Sequence, residues 1–158
     1  AVKGQVVYGL KKLGLYKNPT FTSSKRIAWY PKQKRINRPM FVVTGYARSA
    51  NGTLRYKVRD VNHGTKTAGK TGYITTNKKV ALPVYYASLP KNNKITVIAK
   101  KGVNAYKAKN LTGKLKHYKT GTHLTVKKLV KHNLTTRYQL TNGLFVTANK
   151  KLIIAGNY

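Results

Sequence analysis

Acidic side chains are all but missing from this sequence. Asp60 is the single carboxylate among 158 residues that include 33 Lys plus Arg, which sets the formal net charge at +32 at pH 7. Hydrolysis by paired carboxylates and oxygen-ligated magnesium or calcium sites each need several acidic groups, so those classes are excluded. Cysteine is absent as well, which removes disulfides, thiolate metal sites and thiol nucleophiles and leaves the redox compartment open. Neither a bilayer-spanning apolar run nor a charged-then-apolar signal peptide is present, so the chain is expected to be soluble or a mature fragment, and its start at Ala1 suggests trimming.

Other chemistry is lacking too. The glycines form no phosphate-cradling fingerprint. His63, His117, His123 and His132 are scattered, without the close pairing that puts two imidazoles on one metal. Ser23, Ser24, Ser49 and Ser88 stand in turn-like contexts without a nucleophile elbow. Asp60, beside Arg59 and ahead of Asn62, reads as a turn-forming or ion-paired residue. The expectation is a protein that is not an enzyme and carries no cofactor and no metal.

What is present is positive charge on a chain able to fold. Hydrophobic residues make up 41% and aromatics 10%, enough for packed cores. Self-repulsion opposes a compact state, and without carboxylates the countercharge must come from outside. A net charge of magnitude about 2 to 8 already keeps a small domain soluble, so +32 calls for another reason. Roughly four in five of the basic residues are lysine, a hydrated point charge rather than a planar fork. That bias favours many mobile contacts to a flexible phosphate polymer over the bidentate contacts typical of nucleic-acid readers.

Short β-branched and aromatic runs recur between Gly, Asn, Lys and Thr clusters, and helical periodicity is scarce, so the chain reads as all-β. Strands are predicted at Gln5 to Tyr8, Arg26 to Trp29, Met40 to Ala47, Thr53 to Val61, Gly72 to Thr75 and Val80 to Tyr86. Further strands are predicted at Lys94 to Ala99, Leu124 to Val130, Thr136 to Leu140, Leu144 to Thr147 and Leu152 to Ala155. Asn51-Gly52 and Asn142-Gly143 suit the positive φ of hairpin turns.

The two halves resemble each other in one order. Leu10 to Lys17 answers Ala99 to Lys107, Trp29-Tyr30-Pro31-Lys32 answers His117-Tyr118-Lys119, and Leu54 to Val58 answers Thr136 to Leu140. Tyr73 to Val80 then answers Phe145 to Leu152, and the first copy alone carries an insertion, Asp60 to Lys70. Proline and paired asparagines break the pattern between the copies. The expected architecture is two tandem small SH3-like β-barrel repeats, residues 1–88 and 94–158, with 89–93 as linker.

Arg55-Tyr56-Lys57-Val58-Arg59-Asp60-Val61 followed by Gly72-Tyr73-Ile74-Thr75 resembles the C-terminal wall-binding repeat of surface-layer protein A from lactic acid bacteria. Lys109 to Lys114 and His132 to Tyr138 are similar to an uncharacterised lactobacillar adhesin domain. The resemblance implies a secreted, cell-surface protein held non-covalently on the anionic wall polymer, teichoic or lipoteichoic acid. It carries over no catalytic residue, and the long insertion departs from the compact repeat.

Strand alternation puts Leu54, Tyr56 and Val58 on one face and Arg55, Lys57 and Arg59 on the other. Cations about 7 Å apart along an extended strand match the repeat of an extended phosphodiester chain. The second copy is expected to turn Tyr138 and Leu140 inward and Arg137 outward, with Gln139 in place of the next cation. Lys78-Lys79 and Lys150-Lys151 recur at equivalent places and complete the candidate polyanion-binding set. Nucleic acid and anionic host glycans are the alternative partners that charge alone also fits.

Overall fold

Runs of Val, Ile, Tyr and Thr separated by glycine and asparagine turns give strands throughout the computed structural model, which describes residues 2–156 and 158. The chain divides between Val84 and Tyr85 into two units. In the first unit β1 is Val6–Gly9, β2 Leu13–Tyr16, β3 Arg26–Tyr30, β4 Met40–Arg48, β5 Leu54–Asp60, β6 Thr71–Thr75 and β7 Ala81–Pro83. In the second, β8 is Lys94–Val97, β9 Val103–Tyr106, β10 Lys114–Tyr118, β11 His123–His132, β12 Thr135–Leu140, β13 Phe145–Thr147 and β14 Ile153–Ala155. The division falls ahead of 89–93 because the chain is already tied into the second unit there. Tyr86 N–H donates to the Ala148 carbonyl and the Tyr138 hydroxyl donates to the Ser88 carbonyl at 2.7 Å.

The two units have the same topology. One seven-stranded antiparallel sheet runs β3-β2-β6-β5-β4-β1-β7 and the other β10-β9-β13-β12-β11-β8-β14. Even the irregularities correspond. Register shifts leave Thr44 bulged between Val43 and Gly45, and Lys127 between Val126 and Lys128. Ile27 and Leu115 are skipped in the same way on β3 and β10. A bulge bends and twists its strand, so each sheet curls. In the first unit Tyr30 of β3 and Ala81 of β7, the two end strands, share one buried cluster with Val7, Leu15, Phe41, Val58 and Ile74. In the second, Ile153 of β14 joins Val97, Ala105, Val126, Tyr138 and Val146.

The sheets do not close into the expected barrels. No ladder joins β3 to β7 or β10 to β14 among the described residues. On the outer edges of β7 and β14 the last residue of the strand offers no free donor. Val84 N–H donates to Val6 on β1, and backbone groups alternate between edges, so the nitrogen of Pro83 falls on the outer edge, where proline has no hydrogen to give. In the second unit the outward Ala155 N–H is taken by the Tyr86 hydroxyl at 3.0 Å. Edges blunted this way resist further strand addition.

Strands β2, β9 and β10 were not predicted. Leu13-Gly14-Leu15-Tyr16 is buried at every position, and Lys114 to His117 is exposed at every position. Neither shows the period-two alternation that marks a half-buried strand.

Candidate polyanion-binding surface

The central strand β5 alternates from Arg55 onward. Tyr56, Val58 and Asp60 are buried while Lys57 and Arg59 face solvent. Leu54, expected inward, is 36% exposed, because it lies at the mouth of the β4–β5 hairpin opposite Arg48. Arg55 is only half exposed. Its Nε donates to the Pro19 carbonyl at 3.2 Å, and its guanidinium lies 3.8 Å from the centroid of Phe21. Phe21 in turn stacks on Tyr16 at 4.2 Å and 13°. Burial pulls the Arg55 guanidinium below its ordinary pKa. This side chain fastens the β2–β3 connection to the sheet.

Arg137 occupies the same place on β12 and departs further from expectation. It is 8% exposed rather than outward-facing. Its Nε donates to the Lys109 carbonyl at 3.2 Å and a terminal nitrogen donates to the Thr136 carbonyl at 3.0 Å. The β9–β10 connection folds over the outward face of the strand at this point, and a long guanidinium beneath a loop becomes a clamp. Gln139, at the position of Lys57, donates to the Gly143 carbonyl instead of presenting charge.

The lysine pairs follow one turn used twice. Asn77 Oδ1 accepts from Lys79 N–H at 2.9 Å, and Asn149 Oδ1 accepts from Lys151 N–H at 2.8 Å. The backbone places the two pairs alike, but their surroundings differ. Lys78 and Lys79 are exposed. Lys150 holds its ammonium 5.6 Å from the Tyr86 ring centroid, and Lys151 is half-buried, with burial lowering its pKa. The structure therefore sorts the eight candidate residues into four exposed cations (Lys57, Arg59, Lys78 and Lys79) and four engaged with the protein itself (Arg55, Arg137, Lys150 and Lys151).

Asp60, the only carboxylate side chain, is withdrawn from the surface at 2% exposure. Its Oδ2 accepts from the Tyr30 hydroxyl at 2.7 Å, and its Oδ1 accepts from the Asn62 backbone and amide nitrogens at 2.7 and 2.8 Å. It closes the turn that starts the insertion loop. The exterior of the protein consequently displays no acidic side chain.

Burial, reinforced by Asp60, raises the pKa of Tyr30, and burial does the same to Tyr138 and Tyr56. The folded state keeps these phenols protonated after the unfolded chain loses them above about pH 10. The unfolded state then binds fewer protons, so these groups support stability below that pH and withdraw support as pH rises through it. In an alkaline absorbance titration, fewer than the 12 tyrosines should ionise until the fold is lost. One uniform transition with unchanged circular dichroism would contradict this.

One exposed aromatic lies outside the eight candidate residues. Trp29, on the edge strand β3, is 46% exposed, with Lys12 Nζ and the Arg26 guanidinium each 4.4 Å from its ring. Arg26 and Trp29, three apart, would face opposite ways on a regular strand, and the bulge at Ile27 brings them to one face, so spacing alone gave no signal. Among the described residues no cluster of His, Cys, Asp or Glu has the composition of a metal site, and no helix is long and apolar enough to cross a membrane.

Residues 85–153 match a family model described as a domain of unknown function, DUF5776. The match is confined to the second unit, and it is that stretch which is similar to the family. No curated protein matches the chain.

Proposed function

We propose that this protein is a non-enzymatic module that anchors a surface protein non-covalently to anionic cell-wall polymer, teichoic or lipoteichoic acid, outside the cell. The observation that carries the reading is a +32 chain whose one carboxylate is buried and fully engaged. Such an exterior has no internal countercharge and attracts polyanions over its whole surface. In this reading each sheet unit serves as one SH3-like binding module, and lysines supply exchangeable phosphate contacts.

Intact walls should bind the protein before but not after chemical removal of teichoic acid, with nucleic acid a poor competitor. Retention on stripped walls, or efficient displacement by nucleic acid, would sink the reading. Lys57 and Arg59 are the first residues to test, because they are exposed on the central strand beside a buried face that their removal leaves intact. Replacing both by glutamine should weaken teichoic-acid binding about fivefold at low salt, on roughly 0.5 kcal/mol for each exposed ion pair. The salt dependence should flatten and the thermal midpoint should hold. An unchanged isotherm at every salt concentration would move the site to Lys78 and Lys79.

A further inference from the structure

The two units share a topology, yet at one equivalent place the first is filled and the second is open. Register identifies the positions. Gly14 pairs with Trp29 and Tyr16 with Tyr73 in the first unit, as Asn104 pairs with His117 and Tyr106 with Phe145 in the second. The clamp arginines extend the match, since Arg55 reaches the Pro19 carbonyl and Arg137 that of Lys109, so Phe21 and Leu111, each two residues on, correspond.

In the first unit the Tyr16 ring lies over Gly14, so close that a Cβ there would meet ring atoms at 2.7 to 2.9 Å. Phe21 stacks on the same tyrosine ring. In the second unit Asn104 has a side chain where Gly14 has none, and its Nδ2 donates to the Tyr106 hydroxyl at 3.4 Å. Leu111 replaces the aromatic ring, held at φ 59, a left-handed conformation unusual for a bulky residue. The result is a cleft of about 280 Å³ lined by Tyr85, Asn104, Tyr106, Leu111, Thr147 and Asn149.

We propose that this cleft binds one neutral pyranose ring. Its lining offers two tyrosine rings, two amides and a threonine hydroxyl, and no cationic side chain, on a chain where cations are otherwise everywhere. Amphipathic ring faces pack against aromatics while hydroxyls pair with amides and phenols. Phosphate would be poorly served by such a lining. Resting on the anchoring reading, the sugar would be a glycosyl residue carried by the wall polymer, with the exposed Lys101 and Lys107, each next in sequence to a lining residue, placed for the flanking phosphates.

The test is an amide NMR titration of the whole chain with glucose, with N-acetylglucosamine and with glycerol 3-phosphate. Either sugar should shift Asn104, Tyr106, Thr147 and Asn149, independently of salt, and leave Gly14, Tyr16, Thr75 and Asn77 unmoved. Asn104→Gly, which gives Tyr106 the space Tyr16 has, and Tyr106→Ala should both abolish the response while the spectrum stays dispersed. Absence of any cleft shift at the solubility limit of both sugars would overturn the proposal, even if neither variant folds. So would equal shifts in both units, or a salt-dependent response to glycerol phosphate at the cleft. Teichoic-acid isotherms report on the charged surface separately, so either idea can fail alone.

Discussion

Between about 50 and 200 mM salt, affinity for purified teichoic acid is expected to fall by about one to two orders of magnitude, while the thermal midpoint of the free protein rises. The first effect comes from counterion release. Six to ten phosphate contacts on duplex DNA lose about 10³ to 10⁵ in affinity over that range, and a flexible polymer with fewer condensed ions loses less. The second comes from screening, which shortens the reach of charge repulsion to about 8 Å at physiological ionic strength. Most proteins offset self-repulsion with their own carboxylates. Here the only one is buried between Tyr30 and Asn62, so added ions relieve a strain that no internal partner does. Polyphosphate should raise the midpoint further than simple salt of equal ionic strength, because it binds the folded surface. Isotherms and melting curves across one salt series measure both. Salt-independent affinity would mean recognition by shape and neutral groups alone. A midpoint that falls steadily with salt would mean that repulsion is not what limits stability.

Strand class, the repeated order of elements and the alternation along β5 were legible because they depend on near neighbours in sequence. Tyr56 and Val58, two apart, went inward, and Lys57 and Arg59 outward, as pleating requires. Depth was less legible. Alternation tells which face a side chain leaves from but not what arrives to cover it, and Arg55 is met by Pro19 and Phe21 and Arg137 by Lys109. One clue was available. Arginine recurs ahead of the central tyrosine in both halves while the next cation changes from Lys57 to Gln139, the pattern of a geometric requirement rather than of charge. The open edges were hidden for a related reason. Pro83 was placed inside a longer strand, and its effect on the outer edge follows only once Val84 is seen to bond inward to β1. The cleft was out of reach, since it arises from how Asn104 and Leu111 hold Tyr106 apart from a ring-filled arrangement.

Replacing Arg137 by methionine is expected to cost about 2 kcal/mol, the scale of hydrogen bonds made by a charged donor, and to lower the melting midpoint of the second unit by roughly 10 °C. Methionine keeps an apolar stem of similar length, so the loss measures the guanidinium rather than a cavity. What goes is the Nε bond to Lys109 and the terminal bond to Thr136, while the Tyr85 ring, 6.0 Å away, adds little at that distance. Lysine should not rescue the variant, because one ammonium cannot reproduce the planar fork that serves two carbonyls from one position. Arg55→Met should cost less, since that side chain is half exposed and solvent can satisfy what it releases. Hydrogen exchange along β12 and β9 should quicken in the Arg137 variant and leave β5 unchanged. The two readings of Arg137 then separate cleanly. A clamp predicts lost stability, with binding falling only as the second unit unfolds. A phosphate contact predicts an unchanged midpoint with weaker, less salt-dependent binding to teichoic acid, and that outcome would restore Arg137 to the binding surface.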